Sequence, residues 1–259
     1  MTIDLSGQTV AITGAASGIG KAIASAFIYA GVHVLALDRD EGSLAKLKAD
    51  HADLVTCLSV DITDYPSLQE IASNQAIDHL ICAAAIGSGK KGFPFWNMEP
   101  DDWKRVIDIT LMGTVNTLQA FIPSLRQGET LRKSVLILSS VAGQIGSQTD
   151  PPYSACKAAV INFAQCAAKD LAPDGIRVNA LSPGMVKTQL NESVYEANRI
   201  DPNQSYEEWA QEKIETIAPL GRWQESEEFG AMAVFLASEN GRNITGQTLN
   251  IDGGQVMHS

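Results

Sequence analysis

The chain has 259 residues, 45% hydrophobic and 19% charged, with a formal net charge of -11. That is enough apolar material for a sizeable core and too much for a disordered chain, while the negative balance opposes nucleic-acid phosphates, which need clustered Lys and Arg. The four cysteines and four histidines form no CxxC, HxxxH or HxH spacing, so reduced thiols in a cytoplasmic protein are expected, with no metal site.

In chain order, the opening residues Met1-Thr2-Ile3-Asp4-Leu5 lack a basic stretch followed by an apolar one, and no run reaches transmembrane length. Neither export nor a membrane partner is therefore expected. Thr9 to Ile12 is the first of seven short aliphatic runs, followed by Val32 to Leu37, Leu54 to Leu58, His79 to Cys82, Val135 to Leu138, Ile176 to Ala180 and Gln247 to Ile251. The first five are apolar on both faces, as strands of a covered parallel sheet are. Between them, Ile19 to Tyr29, Pro66 to Ala72, Asp101 to Leu118, Tyr153 to Leu171 and Ser226 to Ala237 show the three-and-four spacing of helices that bury one face. The alternation predicts an α/β fold, a Rossmann-type doubly wound sheet of about seven parallel strands with helices on both faces. No repeat or linker divides the chain, so residues 1–259 are expected to form a single domain. The longest polar stretch, Thr188 to Gln211, reads as an insertion, either a substrate lid at about 188–216 or an ordinary surface loop.

The first strand runs into Thr13-Gly14-Ala15-Ala16-Ser17-Gly18-Ile19-Gly20, after which a helix begins. Glycines here let the backbone turn sharply and approach a pyrophosphate, whose charge a helix N-terminus favours. The second strand ends at Asp38, where an acidic residue can accept hydrogen bonds from the adenosine ribose hydroxyls and repel a 2'-phosphate. NAD is accordingly favoured over NADP, although the adjacent Arg39 leaves NADP open.

Tyr153 and Lys157 stand four apart at the start of a helix introduced by Pro151-Pro152, so they share one helix face. A nearby ammonium favours the phenolate of a tyrosine, and such a pair can move a proton. Ser140, thirteen residues before Tyr153, closes the fifth strand. A hydroxyl there could polarise a substrate oxygen.

Taken together, these motifs resemble those of the classical short-chain dehydrogenase/reductase family, over nearly every residue from Leu5 to Gly254. The family's TGxxxGxG loop matches Thr13 to Gly20, with Gly14, Ser17, Gly18, Ile19 and Gly20 as cofactor contacts. Its adenine-contacting aspartate matches Asp61, followed by Ile62, and its serine, tyrosine and lysine match Ser140, Tyr153 and Lys157. Pro183, Gly184, Val186 and Thr188 match the segment that lines the nicotinamide. By this resemblance the cofactor is NAD or NADP, hydride passes between it and a substrate carbon, Tyr153 exchanges the proton, Lys157 holds the ribose and lowers the tyrosine pKa, and Ser140 orients the substrate oxygen. A homotetramer is also implied, with Asp101 to Leu118 and Tyr153 to Leu171 packing about two-fold axes.

The family pattern is broken in two places. Where it has NNAG, this chain has Cys82-Ala83-Ala84-Ala85, with Ala83 at the cofactor. Where it has the asparagine of a proton relay, this chain has Thr110, and a shorter hydroxyl side chain there is expected to weaken that relay.

The variable loops carry the substrate signal. Lys90 and Lys91 could attract an anion or be merely solvated; Phe93, Phe95 and Trp96 could face the substrate or pack under their loop; Gln144 could reach a polar group or lie on the surface. The stretch from Asn191 to Glu215 contains Glu192, Glu196, Asp201, Glu207, Glu208, Glu212 and Glu215, which would repel an acyl carrier protein or coenzyme A. The expected substrate is therefore a small secondary alcohol, polyol or sugar, or the corresponding carbonyl. A 3-oxoacyl thioester reductase is one alternative, and a catalytically weak nucleotide-binding sensor or partner protein, suggested by Thr110 and the missing amides, is another.

Overall fold

The computed structural model describes residues 3–51, 53–92, 94–146, 150–199 and 201–257. Seven strands, β1 (Thr9–Thr13), β2 (His33–Asp38), β3 (Val55–Ser59), β4 (His79–Cys82), β5 (Ser134–Leu138), β6 (Arg177–Pro183) and β7 (Thr248–Ile251), form one sheet in the order β3-β2-β1-β4-β5-β6-β7. Every neighbouring pair is parallel. All strands therefore end on the same edge, and the strand order reverses direction beside β1 and β4, where a crevice opens in sheets of this kind.

Helices α1 (Gly18–Tyr29), α2 (Glu41–Asp50), α3 (Tyr65–Ser73), α4 (Pro100–Val106), α5 (Gly113–Gln127), α6 (Pro151–Leu171), α7 (Gln189–Asn198), α8 (Tyr206–Ile217) and α9 (Ser226–Ala237) follow the strands. Alternate side chains of each strand supply the two core layers. Ile12, Val34, Ala36 and Leu138 pack with Ile23 and Phe27 of α1, Leu44 and Leu47 of α2 and Phe229 of α9. Leu35, Leu37, Val135 and Ile137 face the other way, against Leu68 of α3, Phe121 of α5 and Val160 of α6. A third cluster, Met185, Tyr195, Trp209, Ala210, Ile214 and Ala218, lies apart from both.

Three local features differ from the sequence reading. The helix expected over Asp101 to Leu118 is α4, a π-helical turn over Ile107–Met112 and α5, which continues past Pro123 to Gln127. The polar insertion is helical in large part, as α7 and α8. Helix α2 was not anticipated; it carries only two buried side chains, Leu44 and Leu47, too few for a periodic signal. Among the described residues no helix is long and apolar enough to cross a membrane, and no group of His, Cys, Asp or Glu is placed to hold a metal ion.

Candidate active site

A cavity of about 660 Å³ opens along the C-terminal edge of the sheet, walled on its outer side by α7 and α8. Gly14, Ser17, Gly18, Ile19 and Gly20 form one end. Gly14 adopts φ +71°, and a Cβ there would lie 2.8 Å from the Ala84 nitrogen; a Cβ on Gly20 would lie 2.0 Å from the Gly14 oxygen. Only glycines allow this turn to close against both the helix and the end of β4.

The N-terminus of α1 is prepared for an anion. Asp40, Asp64, Asp150, Thr188 and Ser205 each accept a hydrogen bond from an amide of the helix they precede. Ser17 makes no such cap, and the first turn of α1 holds no acidic residue. The leading amides are left for a phosphate, which the helix dipole favours.

Asp38 closes β2 beside this loop, its Oδ2 accepting from the Ala16 amide and its Oδ1 from the Asp40 amide, each at 3.1 Å. A carboxylate has further lone pairs for a ribose hydroxyl. Asp61 lines the same end of the cavity, and its Oδ1 accepts from the Thr63 amide and hydroxyl, both at 2.8 Å, which holds its carboxyl below the usual range. Ile62 packs on the start of α5, where a Cβ on Gly113 would lie 2.3 Å from its Cδ1. The Ala83 amide donates to the Thr13 oxygen and leaves its methyl group at the cavity wall. On the opposite wall stand Pro183, Gly184 and Val186, and Thr188 lies over Gly18, with 3.5 Å between its Cγ2 and the place of a Gly18 Cβ. This glycine cradle, the open helix end and the carboxylate at the end of β2 fit a dinucleotide.

Ser140, Tyr153 and Lys157 meet in the middle of the cavity. Ser140 lies two residues past the end of β5, its Oγ accepting from the Ala142 amide at 3.2 Å, and it lines the cavity together with Tyr153. Lys157 is buried; its Nζ donates to the Leu138 oxygen at 2.5 Å and lies 5.4 Å from the centre of the Tyr153 ring. Burial pushes the lysine down to about 8. Burial also raises the Tyr153 phenol above its ordinary range, with the Ser140 hydroxyl pulling it down and Asp150 pushing it up. Lys157 is not among the groups that shift the phenol in this arrangement, and its ammonium donates to the Leu138 oxygen instead.

Residues outside the motifs hold this arrangement. The Ser139 hydroxyl donates to the Lys157 oxygen at 2.8 Å, and a Cβ on Gly143 would lie 2.5 Å from the Lys157 carbonyl carbon, so the segment after β5 rests on the backbone of α6. Asp150, 8% exposed, accepts from the Ser88 amide and hydroxyl through Oδ2, at 2.7 and 3.0 Å, and from the Tyr153 amide through Oδ1 at 3.3 Å. It ties the segment after β4 to the helix that carries the tyrosine. An aspartate directly before Pro-Pro is an N-cap signal that could have identified it.

Thr110 sits in the π-helical turn and is buried away from the cavity wall. Its Oγ1 accepts from the Ile86 amide and donates to the Ile86 oxygen, both at 3.1 Å. The hydroxyl's single proton is therefore committed to the backbone after β4, and the Thr110 oxygen accepts from the Thr114 hydroxyl at 2.9 Å.

The loop candidates separate clearly. Gln144 and Asn250 pair reciprocally through their amides, at 2.9 and 2.8 Å. Lys90 is bonded to Asp102 at 2.7 Å. Phe95 and Trp96, 61% and 72% exposed, contact each other edge to face outside the cavity, while Phe93 lies outside the described residues. The seven acidic side chains between Asn191 and Glu215 are all exposed. Two residues that the sequence did not single out, Trp209 and Lys213, line the cavity from α8.

Residues 14–256 match the family model described as "Enoyl-(Acyl carrier protein) reductase". The chain is 34% identical over 264 residues to a 3-oxoacyl-[acyl-carrier-protein] reductase of Thermotoga maritima, covering 98% of this chain and 99% of the relative. It is 31% identical over 255 residues to a 2-dehydro-3-deoxy-L-rhamnonate dehydrogenase (NAD(+)) of a Sphingomonas species, covering 96% of each. A 3-oxoacyl-[acyl-carrier protein] reductase of Brucella melitensis, solved with bound NAD, superposes with a TM-score of 0.83 at 30% identity, covering 98% of this chain and 93% of that one. Another fold neighbour, an L-sorbose reductase, was solved with NADPH. The chain belongs to the classical short-chain dehydrogenase/reductase family and is an oxidoreductase of that family that uses a nicotinamide cofactor.

Proposed function

We propose that the protein is an NAD-dependent oxidoreductase acting between a small secondary alcohol, polyol or sugar and the corresponding carbonyl. The observation that carries this reading is the meeting of Tyr153, Ser140 and buried Lys157 in the cavity that also contains the glycine loop. A nicotinamide cofactor held by these residues would supply the hydride exchange with the carbinol or carbonyl carbon. Tyr153 takes the hydroxyl proton in oxidation and gives it back in reduction. Ser140 hydrogen-bonds the same substrate oxygen and holds it beside the phenol.

The glycine loop, Asp61, Ile62, Ala83, Pro183, Gly184, Val186 and Thr188 hold the dinucleotide in this reading, and Asp38 selects NAD by accepting from the ribose hydroxyls. Lys157 binds the ribose and steadies the tyrosine. Thr110 acts by holding Ile86, and a relay water in this region would rest on main-chain carbonyls rather than on the Thr110 hydroxyl. Helices α7 and α8 serve as the substrate lid. The protein works in the cytoplasm, which suits its free thiols, and assembles as a homotetramer through the outer faces of α5 and α6, a point that light scattering would check.

The test is NAD reduction over a panel of polyols, aldoses, hydroxy acids and hydroxysteroids, with NADP run alongside. Turnover of one member with NAD supports the reading; faster turnover with NADP refutes the cofactor assignment. The relatives named as 3-oxoacyl reductases favour a second reading. NADH oxidation with acetoacetyl-coenzyme A, and none with sugars, would establish it.

A further inference from the structure

The segment from α7 to α8 is acidic in sequence, yet its acids all point to solvent. A different set faces inward. Trp209, Lys213 and Ile217 recur every four residues along α8, so they form one face of the helix, and that face lines the cavity containing Tyr153 and Ser140. The Lys213 ammonium lies 4.3 Å from the centre of the Trp209 ring, and Trp209 is 7% exposed. Tyr195 and Tyr206 pack against that indole at 5.5 and 6.2 Å and fix its plane.

Lys213 is half-buried, and burial alone pulls its ammonium below the usual lysine range. Lys90, Lys104 and Lys187 each pair with a carboxylate. Among the described residues Lys213 has neither an ion pair nor a hydrogen bond to protein. A cation withdrawn from water needs compensation, and an indole face supplies only part of it. An oxyanion brought in by a ligand would supply more, as a charge-assisted hydrogen bond in a sheltered site.

We propose that Lys213, seated on Trp209, is a carboxylate-binding subsite of the substrate cavity, so that the alcohol or carbonyl turned over is a small hydroxy acid or sugar acid. This inference rests on the oxidoreductase reading above and narrows its substrate class. A phosphate of the cofactor shares the oxyanion chemistry, and the experiment separates the two.

kcat and KM are measured with NAD on substrate pairs that differ only at the terminal group, an aldonate against its alditol and a 3-hydroxycarboxylate against its 1,3-diol. The wild type is expected to prefer the carboxylate member by about tenfold or more in kcat/KM, and Lys213→Met to lower that preference by about tenfold, chiefly through KM, with Lys213→Arg restoring most of it. A wild-type preference for the neutral members overturns the proposal. So does a Lys213→Met effect that appears in the NADH Kd and leaves the preference untouched, which would assign the cation to the cofactor phosphates. If NADH binds but no alcohol is turned over, the oxidoreductase reading fails separately. Quenching of tryptophan fluorescence by the same pairs, in wild type and Lys213→Met, then decides the subsite: saturable quenching by the carboxylate members that the variant loses supports it, and equal responses overturn it.

Discussion

Around the N-terminal ends of β1, β4, β5 and β6, buried polar side chains are engaged by hydrogen bonds. His79 lies between the Ser134 hydroxyl at 2.8 Å and Gln8 Oε1 at 2.7 Å, and Asp78 accepts from the amides of Thr9 and Thr130. Arg177 donates to the carbonyls of Leu236, Gly241, Arg132 and Ala237. At the C-terminal ends of the same strands, Ser17 leaves α1 without a side-chain cap, and Ser140 and Tyr153 line the cavity. One edge uses its polar groups to hold the sheet; the other keeps them available for a ligand. Where a buried polar group is saturated, its loss should appear in stability, and where it faces the cavity, in activity.

Tyr153→Phe gives the largest expected effect. It removes only the proton-exchanging oxygen, so kcat should fall by about 10²–10⁴-fold with the NADH Kd nearly unchanged. A variant that retains the parent kcat would break the comparison at its upper edge. Arg177→Met probes the lower edge: four carbonyls lose the guanidinium, although Gly241 keeps the Ile244 amide, and unfolding free energy in urea should fall by about 3 kcal/mol while kcat of the folded protein stays within about twofold.

His79 sharpens the same point through pH. Burial pushes it down to about 4, and because Gln8 Oε1 accepts, Nε2 carries the proton of a neutral ring. The unfolded chain binds a proton at about 6.5, the folded one only near 4, so the neutral form's stability is present above 6.5 and is lost as pH falls toward 4. Urea titrations should show a loss on the order of 2 kcal/mol at pH 4.5 that His79→Gln lacks. Identical pH slopes in the two proteins would exclude His79 as its source.

Thr110 is the intermediate case, close to the site but saturated by Ile86. Thr110→Val should cost about 1–2 kcal/mol, seen as a lower Tm, with kcat reduced less than about tenfold. A fall as deep as that of Tyr153→Phe would put its hydroxyl in the proton path.

The sheet was legible because its inner strands are buried on both faces and leave aliphatic runs, while the edge strands β3 and β7 are only partly buried. Helix α2 and the pair α7–α8 were not, since their few buried residues are diluted by charge; the Ser205–Glu208 capping box was the available signal for α8. The π-helical turn adds a residue that no regular period contains. Motif spacing picked out the residues that meet at the cavity. It could not reveal the seat of Lys213 on Trp209, nor that Lys157 would donate to the Leu138 oxygen, and Asp150 was marked only by its place before Pro151-Pro152.

The α7–α8 segment closes most of its polar contacts on itself. The Tyr195 hydroxyl donates to the Gln204 oxygen, the Tyr206 hydroxyl to Asn191 at 3.0 Å, and Ser205 and Glu208 cap each other. Its aromatic cluster is separate from the two layers that clamp the sheet. The stretch is therefore largely self-contained, and substitutions within it are expected to leave the two core layers beneath it intact. On the function proposed above, a chimera that receives residues 189–217 from a relative is expected to take on that relative's substrate preference while keeping Ser140, Tyr153 and Lys157 of this chain.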